Sequence, residues 1–163
     1  MPFELRPYPT PTLRPEGSYL QSAWAHSVYP IAARMGIDIR LPDVSPQPYT
    51  RSAHEGLEFA KDHGVGDTYN SGVMRAFFQH GEDIGRIDVL TRIASEAGLD
   101  SEPFREALSS RSYADRVAEL LRHAYDDVQV TGVPLFLIGE TRLSGVQSRE
   151  KLALILDRHL NAE

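Results

Sequence analysis

The stretch TGVPLFLIGETRLSGVQS (Thr131–Ser148) decides the fold class. Leu135–Ile138 is a short apolar run with no charge in it, the composition of a strand buried on both faces. Gly139-Glu140 is a turn signal, Thr141–Leu143 can return as an antiparallel strand, and Gly145 breaks that return. Ser148 then stands where a helix needs its cap, and Leu152, Ile155, Leu156 and Leu160 share one face of the helix that follows. The strand opens on Pro134, a residue with no ladder donor, which a sheet tolerates at a strand's first position. A strand of this composition belongs at the centre of a sheet and needs a neighbour on each edge. Thr141–Leu143 supplies one. The other falls to Phe3–Arg6, to another chain, or to a piece that these residues do not contain.

Upstream of Val128 the period is helical. From Ser18, a candidate cap, Tyr19, Trp24, Val28 and Ile31 keep roughly to one face, and Pro30 is expected to kink or restart the helix. Asp38–Tyr49 reads as a loop. Further helices are predicted from Thr50 to Gly64, Asp67 to His80, Arg86 to Ala97, Asp100 to Leu108, and from a cap at Ser112 along the stripe Val117, Leu120, Leu121 and Ala124. The first seventeen residues contain Pro2, Pro7, Pro9, Pro11 and Pro15 and read as extended chain, with Phe3–Arg6 the one stretch there able to form a strand. The order is therefore a short strand, a long helical block, a hairpin and a last helix, an α/β class.

Composition narrows the chemistry. The net charge of −6 argues against a nucleic-acid partner, which needs a basic face. No apolar run approaches the ~20 residues of a membrane span, and MPFELRPYPT has no apolar core of a signal peptide, which makes the cytoplasm the default location. The chain has no cysteine, hence no disulfide, thiol nucleophile or thiolate metal ligand of its own.

Other constellations read blandly. His54 and Glu58, with Glu55 and His63 nearby, could hold a metal, but the spacing is not H-E-x-x-H and a solvated helix face is the better reading, so no metal is assigned. HGVGDTYNSG (His63–Gly72) lacks a preceding strand and a G-K-[ST], which leaves helix punctuation. His80 and His123 belong to no visible triad. Trp24, Phe77 and Phe78 read as helical core.

Six stretches in order carry a resemblance: PFELRP (Pro2–Pro7), AHEGLEFAKDHG (Ala53–Gly64), MRAFFQHGEDI (Met74–Ile84), VLTRIASEAGLD (Val89–Asp100), GVPLFLIG (Gly132–Gly139) and LSGVQSREKL (Leu143–Leu152). With them the chain resembles the DsbA-like branch of the thioredoxin superfamily, in particular the FrnE-type dithiol-disulfide isomerases, whose relatives include kappa-type glutathione transferase and 2-hydroxychromene-2-carboxylate isomerase. The resemblance implies a thioredoxin-like fold with an inserted helical domain. Residues 1–17 and 128–163 would be a partial thioredoxin-like domain and 18–127 the insertion. PFELRP would end the family's second strand, so the first strand and the helix bearing Cys-x-x-Cys would have to precede Met1. The N-terminal βα unit is then absent from this sequence, and no catalytic residue is assigned.

The resemblance also places substrate at Gly132, Val133 and Pro134. In folds of that type the residue in the place of Pro134 is a cis-proline facing the redox cysteines, and the one before it offers its N–H and C=O to an extended substrate. The helical domain roofs that cleft in relatives, which makes Trp24, Phe77 and Phe78 candidate lining. The serine that replaces the nucleophile in glutathione-binding relatives sits on the missing helix, so Ser18 and Ser22 do not inherit its role. The implied partner is a thiol- or disulfide-bearing protein or a small thiol, with glutathione a candidate thiol substrate and no cofactor. The expected function is thiol-disulfide oxidoreduction or isomerisation by the family, inactive in this chain alone. The alternatives are a non-redox peptide- or glutathione-binding module and a kappa-type transferase or isomerase relative. The unfilled strand position points to self-association or to a missing N-terminal segment.

Overall fold

Residues 1–161, those that the computed structural model describes, form eight α-helices, two π-helical turns and a β-hairpin. In order they are α1 (Ser18–Ala23), a π turn (Trp24–Val28), α2 (Tyr29–Met35), α3 (Arg51–Asp62), α4 (Gly66–Phe78), α5 (Ile87–Glu96), α6 (Ser101–Ser109) and α7 (Ala114–Arg122). A second π turn (His123–Asp127), β1 (Leu135–Ile138), β2 (Thr141–Ser144) and α8 (Arg149–Leu160) follow. They divide into a helical unit of Pro2 and Glu4–Leu120 and a second unit of Met1, Phe3 and the residues from Leu121 onward. Among the described residues no helix is long and apolar enough to cross a membrane.

In the helical unit, α3 to α6 close on one apolar cluster that includes Phe59, Tyr69, Leu90, Ile93, Phe104 and Leu108. Asp100 caps α6 by accepting the Glu102 N–H at 3.1 Å. Pro30 does restart its helix. The Tyr29 N–H reaches back five residues to the Trp24 carbonyl, and Pro30 then falls in the first turn of α2, where its missing donor costs nothing. Two predicted caps are used otherwise. Gly17, not Ser18, holds the cap position of α1. Ser112 spends its hydroxyl on the Ala107 carbonyl at the end of α6, 3.2 Å away, and α7 starts later, at Ala114.

The strand considered for Phe3–Arg6 does not form. The Glu4 carboxylate is buried and accepts from Arg51 Nε and Nη2 at 3.1 and 2.9 Å, so this stretch is pinned by its side chain instead of a ladder. The segment beyond it also belongs to the helical unit. The Tyr49 hydroxyl donates to the Thr10 carbonyl at 3.1 Å and the Gln47 N–H to the Leu13 carbonyl at 2.8 Å.

The solvated face expected on α3 is instead a row of buried acids. Glu55 is wholly buried and takes a forked contact from Arg111, whose Nη2 lies 2.7 Å from Oε1 and Nε 2.9 Å from Oε2. Arg111 reaches it from a left-handed turn at φ 59°. Glu58, also buried, accepts from Lys61 at 2.6 Å and pairs with Arg116 at 3.0 Å, while Arg116 and the Tyr113 hydroxyl both bond Asp62. Paired in this way a carboxylate can be buried at tolerable cost, whereas removal of one partner strands a charge. His54 lacks such a partner: its Nε2 is buried and unbonded among the described residues. Burial pushes its pKa below the usual value of 6.5, with Arg51 acting in the same direction and Glu4 and Glu58 against it.

In the second unit β1 and β2 pair antiparallel in the register Leu135–Ser144 through Ile138–Thr141. Gly139 makes the turn at φ 54°, and the His159 ring of α8 sits so close that a Cβ there would lie 2.2 Å from its Cε1. Ser148 caps α8 by accepting the Lys151 N–H at 3.2 Å, and α8 packs on β1. Phe3 joins this unit through its ring, 5.3 Å from that of Tyr125. Among the described residues β2 is the only neighbour of β1. The strand is therefore half-covered, not buried on both faces: Leu137 is 48% exposed, as are Leu154, Leu156 and Leu160 of α8 to similar or greater degree.

Two outcomes follow. An alanine at Gly56 would place its Cβ 2.3 Å from the fully buried Tyr69 hydroxyl and 2.8 Å from Phe104 Cζ. Gly56→Ala should therefore destabilise by about 1–3 kcal/mol despite alanine's better helix propensity. Tyr69→Phe, which removes an unbonded buried hydroxyl, should leave stability level or raise it and recover part of the Gly56→Ala loss in the double variant. Chemical denaturation of the four chains measures this. For His54 the folded pKa is the lower one, so the unfolded chain takes up the proton first as pH falls. The stability present above about pH 6.5 is lost on acidification toward the folded pKa. Urea midpoints at pH 7.5 and 5 should fall more in the natural chain than in His54→Leu; equal falls would exclude His54 as a cause.

Candidate functional site

The sequence-predicted substrate residues lie in a strap, Thr131–Pro134, between the second π turn and β1. Its upstream anchor is Val130, 8% exposed, whose N–H donates to the Ala124 carbonyl at 2.9 Å just past the end of the π turn. Its downstream anchor is Pro134, whose carbonyl accepts the Gly145 N–H at 2.9 Å, one step beyond the β1–β2 ladder. Between these points all residues are exposed, Val133 at 54%, and among the described residues no backbone hydrogen bond engages Thr131, Gly132 or Val133. The Val133–Pro134 peptide bond is cis, as are Tyr8–Pro9 and Ser45–Pro46. The strap can thus offer an N–H and a C=O to an extended chain without breaking any bond of its own.

One residue of this site was not singled out from the sequence. Arg142, on β2 opposite Leu137, donates from Nη1 to the Val128 carbonyl at 2.6 Å and from Nη2 to the Gln129 carbonyl at 2.8 Å. Those carbonyls belong to the cap of the second π turn and the residue after it, at the end of a helical segment where a cation is favoured. Gln129 holds φ 54°, a left-handed conformation unusual for a residue other than glycine. The only local signal was a basic residue alternating outward along a short strand, which is ordinary.

The aromatic candidates belong to the helical unit. Trp24, 9% exposed, lies on the first π turn with its ring 5.4 Å from Tyr29 and 6.1 Å from Phe78. Phe77 and Phe78 pack edge to face at 4.9 Å, and Phe77 also lies against the main core cluster. The four rings form one continuous group in which Trp24 is mostly core and Phe77 and Phe78 stay half-open. Two histidines have partners elsewhere: His63 Nδ1 lies 2.8 Å from the Phe59 carbonyl, and His123 Nδ1 lies 2.7 Å from an Asp127 carboxylate at the surface. Among the described residues no three acidic or histidine side chains converge as a metal would require.

With this geometry in view, known proteins give the strap a context. The family profile of the DSBA-like thioredoxin domain matches residues 6–157. The uncharacterized protein YwbO of Bacillus subtilis (strain 168) is 45% identical over 151 residues, which is 92% of this chain and 76% of YwbO. The crystal structure of a probable DsbA oxidoreductase of Streptomyces coelicolor superposes with a TM-score of 0.75 at 26% identity. That match covers 88% of this chain but 63% of the Streptomyces chain, so this chain spans less than two thirds of that relative. A Nitrosomonas europaea protein, described as a candidate protein disulfide isomerase, shares the fold with a TM-score of 0.75 at 17% identity over 90% of this chain and 76% of its own. On the breadth of that match and the close relative, the chain belongs to the DSBA-like thioredoxin domain family.

Proposed function

We propose that this chain serves thiol-disulfide exchange by holding the thiol- or disulfide-bearing substrate along the strap at Gly132–Val133–Pro134. The observation that carries this reading is the strap itself: exposed, anchored at both ends, and, among the described residues, with no backbone hydrogen bond on Thr131, Gly132 or Val133. Strand-like addition of a peptide there uses main-chain hydrogen bonds for affinity, which is tolerant of side-chain identity and suits an enzyme of broad protein substrates. The FrnE-type isomerases remain the nearest functional picture, and the DsbA oxidoreductase likeness supports the same class. Exchange itself proceeds by attack of a thiolate on a disulfide sulfur. This sequence contains no cysteine, so the attacking thiolate is not one of its residues. What these residues contribute is alignment of the substrate backbone along the strap.

Two measurements check the reading. The 163-residue chain with dithiothreitol should reduce insulin no faster than dithiothreitol alone; turnover above that blank would contradict the division of labour. A fluorescent hexapeptide carrying one glutathione-capped cysteine should bind saturably, as read by polarisation. N-methylation of the peptide backbone at that cysteine, which removes the donor for a strap carbonyl, should weaken binding about fivefold. Absence of saturable binding, or indifference to N-methylation, would overturn the assignment of the strap.

A further inference from the structure

We infer that Arg142 is the positioning residue of the substrate strap: its guanidinium holds the carbonyls of Val128 and Gln129 and so fixes where Thr131–Val133 begin. This rests on the strap being the substrate-holding element.

The strap has few means of being held. Downstream, Pro134 is tied to Gly145 by one bond. Upstream, the π turn ends on Val128, whose N–H reaches the His123 carbonyl at 2.9 Å, and Val130 follows with its bond to Ala124. Gln129 between them takes φ 54°, a conformation that a non-glycine residue keeps only when its surroundings over-determine it. The Arg142 fork supplies that determination. It grips the carbonyl before the left-handed residue and the carbonyl of that residue itself, at 2.6 and 2.8 Å. Because Arg142 projects from β2 in register with Leu137 of β1, the same hairpin that fixes Pro134 also fixes Gln129. Both ends of the strap are thereby referred to one element, the β1–β2 hairpin. A lysine could satisfy one carbonyl but has no planar fork to bridge two.

The test uses the full chain with Arg142→Met and Arg142→Lys, and the glutathione-capped hexapeptide as probe. Arg142→Met should bind the peptide about tenfold more weakly, with Arg142→Lys in between. In the free Arg142→Met chain, backbone 15N relaxation should show Thr131–Val133 becoming mobile, while β1, β2 and α8 keep their order parameters and thermal unfolding stays within a few degrees. Wild-type binding with unchanged affinity in Arg142→Met would overturn the inference. So would loss of order across the whole hairpin, which marks a merely structural role. If the natural chain itself does not bind the peptide, the functional reading fails, and the relaxation comparison still decides the positioning claim: a strap that stays rigid without the guanidinium refutes it.

Discussion

Two hydrogen bonds of 2.9 Å, Val130 N–H to Ala124 and Gly145 N–H to the Pro134 carbonyl, confine the segment on which the functional account stands. Each is a bond that the sequence obtains by leaving a regular element early. The helix after α7 widens into a π turn and releases Val130 back onto itself; the hairpin ladder stops at Ser144 and lends the next N–H to Pro134. What lies between is short, exposed and fixed at its ends. A backbone in that condition loses little entropy when it takes an added strand, because the ordering cost has largely been met in folding.

The helical unit solves a different problem. An α3 face bearing Glu55, Glu58 and Asp62 would ordinarily look outward. Here Glu55 and Glu58 are turned inward and met by Arg111 and Arg116, Asp62 stays at the surface and binds Arg116 as well, and Tyr69 fills the space that Gly56 leaves open. The acids tie α3 to the turn and helix that follow α6, and the apolar cluster then packs within that frame. Desolvation offsets much of the attraction in such pairs, so their net contribution to stability is small while the loss of one partner is costly.

Legibility followed range along the chain. The strand Leu135–Ile138, the hairpin turn at Gly139, and the caps at Asp100 and Ser148 were readable because each depends on residues two to four positions away. The family was readable because its stretches recur in order along nearly the whole sequence, and the match over residues 6–157 shows it. Glu55 and Arg111 stand 56 positions apart and Glu4 and Arg51 47 apart, so no local period announces either pair. That is why α3 read as solvated and Phe3–Arg6 as a strand. Within the candidate site, Gly132–Pro134 was named through the family resemblance, whereas Arg142 was not singled out, because its partners are carbonyls and carbonyls have no sequence signature. The half-covered state of β1 reflects the same limit. Composition called for two neighbouring strands, and among the described residues there is one.

The most direct measurement is amide hydrogen exchange at Val133 with and without a saturating extended peptide. A strap that receives a strand predicts slow exchange at Val133 in the complex against fast exchange in the free chain, with the amides of α3 to α6 unchanged. Equal exchange at Val133 in both states, with the peptide demonstrably bound, would place the substrate elsewhere and contradict the account.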